Sequence, residues 1–135
     1  MPSTTIKSIG NGLQVPIFVM NVENPADTPN GGDAGQRIDP GQTIFCSMSV
    51  PWSGSNQEFP NHHIAVYNQD GSETYAVIWQ RSVGGGDAVR YSADGLWRDP
   101  GQPVANDASV GEDKDMSLIG GAGNHETVVY MRRHG

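Results

Sequence analysis

With 135 residues and one cysteine, the chain is long enough to bury a core of its own and cannot form an internal disulfide. Its formal charge is −7, with Lys7 and Lys114 the only lysines and Arg132-Arg133 the one adjacent basic pair. That balance excludes the basic face demanded by nucleic acid or an anionic membrane.

Residues 1–5 lack the apolar stretch of a signal peptide, and no run approaches the roughly 18 apolar residues of a spanning helix. The expectation is a soluble, acidic protein without membrane insertion, cytoplasmic or released by a route without a Sec signal. Glycine (18) and proline (9) are abundant, which favours many turns over long helices.

Along the chain, Leu13, Val15, Ile17 and Val19 alternate with Gln14, Pro16, Phe18 and Met20. Period two is the pattern of a half-buried strand, and Pro16 would put it at a sheet edge or a bulge. Residues 21–42 are polar and turn-rich, and read as a surface loop. Ile44, Cys46, Met48 and Val50 then alternate with Phe45, Ser47 and Ser49 to give a second strand.

Residues 64–67 and 74–79 flank Asp70-Gly71, a favoured two-residue hairpin turn. That turn pairs Val66 with Tyr75 and Ile64 with Val77. A following turn at Gly84-Gly85-Gly86 pairs Trp79 with Tyr91. In this register Ile64, Val66, Tyr75, Val77, Trp79, Val89 and Tyr91 share a core-facing side. His63, Ala65, Tyr67, Ala76, Gln80 and Arg90 occupy the opposite side. A polar stretch, 94–115, precedes strands near 116–119 and 126–131. No apolar stripe of helical period occurs. These elements predict a single all-β domain over 1–135, an antiparallel, jelly-roll-like β-sandwich of seven to eight short strands, with a closed β-barrel as the alternative.

Candidate chemistry is sparse. Cys46 falls in phase with Ile44 and Met48, so it is expected to pack inside and be inert. His62 and His63 are adjacent on an extended chain and point to opposite faces, which disfavours a metal shared with His125. Gly84-Gly85-Gly86 and Gly121-Ala122-Gly123 precede strands rather than helices, so they read as turns and not phosphate loops. Asn106, Asp107, Glu112, Asp113 and Asp115 form an oxygen-rich stretch and are the candidates for calcium; no other cofactor or metal is expected.

Trp52 and Trp97 both lie among turn residues. A tryptophan beside charged and amide groups offers an apolar plate for a sugar ring and polar partners for its hydroxyls. The expected site is therefore Trp97 with Arg98, Asp99 and Asn106, joined by Trp52 and by Tyr67 and Arg90 from the polar sheet side. The sequence holds no assembled catalytic set. It is read as a non-enzymatic, lectin-like binding domain with a carbohydrate or glycoconjugate as partner, able to form a homo-oligomer. The alternative is a structural or assembly protein, such as a virion surface component or toxin subunit.

Overall fold

The computed structural model describes residues 3–27, 36–81, 88–98, 101–121 and 125–135. The strands, in order, are β1 (Thr5–Asn11), β2 (Ile17–Asn21), β3 (Gln36–Ile38), β4 (Thr43–Ser49), β5 (Trp52–Ser53) and β6 (Ile64–Tyr67). They continue as β7 (Thr74–Arg81), β8 (Val89–Ser92), β9 (Gln102–Pro103), β10 (Ala105–Asn106), β11 (Asp113–Gly121) and β12 (Glu126–Arg133). Two single 3-10 turns, Pro25–Asp27 and Phe59–Asn61, are the only helical segments among the described residues.

Sheet one runs β10-β12-β11-β1-β4, and sheet two runs β3-β2-β6-β7-β8-β9 with β5 also paired to β7. Neither sheet closes on itself, so the fold is an all-β sandwich and not a barrel. Most pairs are antiparallel; β1 with β11, β10 with β12 and β5 with β7 are parallel. There are more strands than expected, because β3, β9 and β10 lie inside stretches that read as loops, and β1 carries too little apolar alternation to be recognised. β2 starts at Ile17, just after Pro16, and pairs on both sides with β3 and β6. It is therefore an interior strand, and the proline escapes the ladder by standing outside it.

The main core lies between the sheets. Ile6, Ile9, Met48, Met116, Leu118 and Met131 from sheet one meet Ile17, Val19, Ile64, Val66, Ile78 and Val89 from sheet two. A buried polar link crosses it at Gln80. Thr4 Oγ1 donates to Gln80 Oε1 (2.5 Å), and Gln80 Nε2 donates to the Val50 carbonyl (2.7 Å). Fully buried Lys114 is held by Asp107 Oδ1 (2.8 Å) and Ser109 Oγ (2.9 Å). This pairing satisfies a charge that burial would otherwise make very costly.

The register of the central hairpin differs from the expected one. Ile64 pairs with Ile78, Ala65 with Val77 and Val66 with Ala76, and a bulge precedes the Tyr67–Thr74 pair. The connection spans residues 68–73, closed by Asn68 N–H to the Glu73 carbonyl (3.0 Å). It is not a two-residue Asp-Gly turn. β8 is offset by one residue in the other direction along β7, with Ile78 opposite Tyr91 and Trp79 opposite Arg90. A one-residue offset of β7 against both neighbours exchanges the faces of its own side chains from Ala76 onward and leaves those of β6 and β8 unchanged. Ala76, Ile78 and Gln80 therefore point between the sheets and Val77 and Trp79 to the outer side of sheet two, while Ile64, Val66, Val89 and Tyr91 lie on the core side as expected. The Gly84-Gly85-Gly86 turn lies outside the described residues.

Trp79 is fully buried, as expected, but against Phe59, Val77 and Trp97 rather than Tyr91. Trp79→Ala is expected to lower the unfolding free energy by about 3–5 kcal/mol in urea denaturation; a change under about 1 kcal/mol would show that this outer cluster carries little of the stability. Cys46 is half-buried rather than enclosed, with its Sγ 3.3 Å from the Ile6 carbonyl. Burial pushes its pKa up to about 11, against a lowering influence from Lys7. Native-state labelling by a thiol reagent should accordingly be slow at neutral pH and accelerate as pH rises toward that value; rapid labelling at pH 7 would contradict the assignment.

Candidate functional site

The outer side of sheet two carries an aromatic cluster that begins with Val77 and Trp79 and is covered by two connecting segments. In the first, Ser55 Oγ accepts from Glu58 N–H (3.2 Å), and the following turn presents Phe59. Phe59 meets Trp79 edge-on, with ring centroids 5.5 Å apart. His63 stacks on Phe59 at 4.5 Å, and its Nδ1–H donates to the Phe59 carbonyl (2.7 Å). Burial lowers the His63 pKa and prevails over that hydrogen bond.

The second covering segment brings Trp97, whose ring lies 5.1 Å from Trp79 and 5.6 Å from Phe59. Trp97 is half-buried, one part of it packed and another exposed. The chain then returns over Trp79 at Gly101. A Cβ there would stand 2.6 Å from Trp79 Cζ2, and φ is +76°, so both space and backbone require glycine. Trp79 Nε1 is buried without a hydrogen-bond partner among the described residues.

Beside Trp97 opens a cavity of about 560 Å³ lined by Tyr91, Asp94, Trp97, Arg98, Gln102 and His125, among others. Its polar groups are mutually fixed. Asp94 Oδ1 accepts from Leu96 N–H (3.1 Å) and from the Ser92 hydroxyl, and Asp94 Oδ2 accepts from Arg98 Nε (3.0 Å) and Nη2. Burial alone would raise the Asp94 pKa, but the Arg98 and Ser92 hydrogen bonds outweigh it and hold the carboxyl at about 2. Tyr91 O–H donates to Gln102 Oε1 (3.3 Å), and His125 Nδ1–H donates to the Ala93 carbonyl (3.3 Å).

Of the residues singled out in the sequence, Trp97 and Arg98 line this cavity. Asp99 lies outside the described residues. Asn106 sits on β10 with φ +74° and donates from Nδ2 to the Met131 carbonyl (3.0 Å), at the edge of sheet one. Trp52 is on β5 and Tyr67 on β6, where Tyr67 stacks with Phe18 at 6.1 Å; neither lines the cavity. Arg90 lies on β8 beneath Gly101, against the covered face of the sheet. The structure adds Tyr91, Asp94, Gln102 and His125. Asp94 has a local sequence signal, an Asp-Gly turn with an arginine four residues on, whereas Gln102 and His125 come from different sheets and arrive only through the tertiary fold.

The candidate calcium ligands are directed elsewhere. Asp107 serves Lys114, Asp115 binds His134 Nδ1 (2.8 Å), and Glu112 lies 3.7 Å from Arg133 Nε. Among the described residues no group of three or more His, Cys, Asp or Glu could hold a metal. His62 pairs with Glu23 (2.7 Å) and His63 with Phe59, so the two rings do diverge.

No protein-family model matches the chain, and comparison with curated proteins and with solved structures found none similar to it.

Asp94 gives the cavity a pH signature. Its folded pKa lies below the ordinary 3.8, so its contribution to stability is complete above that value and is lost as pH falls through about 2. The Asp94 carboxyl resonance should titrate near 2 in the native protein and near 3.8 in Arg98→Ala if the guanidinium is the main cause; an unshifted midpoint in the variant would assign the effect to Ser92 and the backbone.

Proposed function

We propose that this chain is a non-enzymatic binding domain whose ligand is a neutral carbohydrate, seated in the cavity beside Trp97. The observation that carries this reading is the pairing of a half-buried tryptophan with an internally neutralised polar rim. Asp94 and Arg98 cancel each other's charge; of the other polar side chains, Ser92, Tyr91 and Gln102 are uncharged, and His125 is engaged with the Ala93 carbonyl. A ligand suited to this rim is polar without net charge and has an apolar face for the indole. A pyranose ring has both properties. A volume of about 560 Å³ suits one or two such rings.

The hydrogen bonding favours binding over catalysis. The Ser92 hydroxyl donates to Asp94 rather than to a histidine among the described residues, and His125 is engaged with a backbone carbonyl. A second reading, an assembly component, is favoured by β4. This edge strand of seven residues carries no charge and no proline, and Phe45 on it is 82% exposed. Long, uncharged edges invite pairing with another chain.

Binding to an immobilised glycan panel tests the first reading. Gln102 is exposed on β9, so Gln102→Ala should weaken binding by about tenfold while changing stability by less than about 0.5 kcal/mol. Trp97→Ala should reduce both affinity and stability, because its ring also packs on Trp79 and Phe59. Wild-type protein that binds no glycan, but sediments as an oligomer dispersed by Phe45→Ser, would replace this reading with the assembly one.

A further inference from the structure

The outer face of sheet one carries a second concave surface, built by different strands. The registers place two rows of side chains across it. One row is Thr43, Gly10, Ser117 and Tyr130; the next is Phe45, Ser8, Asp115 and Arg132. The inward neighbours Met116, Leu118, Val129 and Met131 are buried in the core, so these rows face away from it.

Gly10 stands in the interior of β1 without a positive φ, so its backbone does not demand glycine. What it provides is space. A Cβ there would lie 3.3 Å from Thr43 Oγ1 and 3.4 Å from Ser117 Oγ. Its absence leaves a floor flanked by two hydroxyls, under a cavity of about 310 Å³ that reaches Tyr130 and Arg132. Glycine inside a strand weakens the ladder and often marks a close approach by a ligand or another backbone.

The rim is pre-arranged. Asp115 Oδ1 accepts from Ser8 Oγ–H (2.7 Å) and from His134 Nδ1–H (2.8 Å), while its Oδ2 lies 3.8 Å from Arg132 Nε. That longer separation leaves room for a hydroxyl to donate to the carboxylate and accept from the guanidinium. Opposite charges again balance, which disfavours an ionic ligand. Tyr130, half-buried, supplies an aromatic wall.

From these observations we propose that the outer face of sheet one holds a second, smaller site for a neutral polyhydroxylated ligand, seated over Gly10 between Tyr130, Asp115 and Thr43. The ligand class rests on the carbohydrate reading of the Trp97 cavity, whereas the position rests only on sheet one.

The test is a two-dimensional amide NMR titration of the whole chain with lactose, maltose, cellobiose and diacetylchitobiose in turn. Saturable shifts at Gly10, Ser117 and Tyr130 are expected with at least one sugar. Gly10→Val should abolish them, and Gln102→Ala should leave them intact. Should Gly10→Val fail to give a dispersed spectrum, Tyr130→Ala decides, with an expected loss of about tenfold in affinity at this face. Shifts confined to the Trp97 cavity would overturn the second site and leave the carbohydrate reading standing. No shifts at either face with any sugar would overturn both. Shifts at the sheet-one face that follow protein concentration rather than sugar would make it a contact between copies, and the proposal would fall.

Discussion

The structure turns on the register of β7. Residues 75–80 are all buried, so this strand lies in apolar surroundings on both sides, and neither face is excluded by hydrophobicity alone. What distinguishes the two faces is a polar side chain. Gln80 is met by Thr4 and Val50 only if it points between the sheets. A shift by one residue would leave a buried amide unsatisfied on the aromatic side, at a cost of about 1–3 kcal/mol. It would also drive Trp79 into a core filled by branched aliphatics. Two hydrogen bonds thus fix which way the residues of β7 face, and with them the aromatic cluster and the cavity beside Trp97.

This dependence explains what could be read from the chain. The all-β class was legible because alternation and turn residues dominate, and β4, β11 and β12 lie where their patterns place them. β7 was legible as a strand, but its face was not, since Tyr-Ala-Val-Ile-Trp is apolar without a break. The Asp70-Gly71 pair then pointed to a two-residue turn, while the real connection runs from Asn68 to Glu73 and the strand absorbs the difference in a bulge. β1 was missed for the opposite reason. Its bulge between Ile6 and Ser8 puts Ile6 and Ile9 on one face three residues apart, a spacing that does not look like a strand.

The candidate site was partly legible for related reasons. Trp97 and Arg98 are neighbours in sequence, and a tryptophan followed by a charge signals a surface that is wet on one side. Tyr67 and Arg90 do lie on the outer side of sheet two, but Tyr67 stacks on Phe18 and Arg90 lies beneath Gly101, so neither reaches the cavity. Asn106 was grouped with Trp97 as a polar partner, whereas its positive φ and its bond to Met131 place it at the junction of β10 and β12. Gln102 on β9 of sheet two and His125 just before β12 of sheet one stand far apart in sequence, and only the packing of the two sheets brings both to one cavity.

The parallel pairing of β1 with β11 governs when the molecule can be completed. β1 finds β4 early, across a short span of chain, but its other edge waits for residues 113–121. During synthesis on a ribosome nearly the whole protein must emerge before that edge is closed. Contacts between such distant segments slow folding, because the intervening chain must be ordered before they form. Until then β1 exposes a ladder edge containing Ile6 and Ile9, which can pair with another nascent chain. The yield of native protein should therefore depend on how crowded and how fast translation is, and a permuted chain in which residues 113–133 precede β1 would escape that wait.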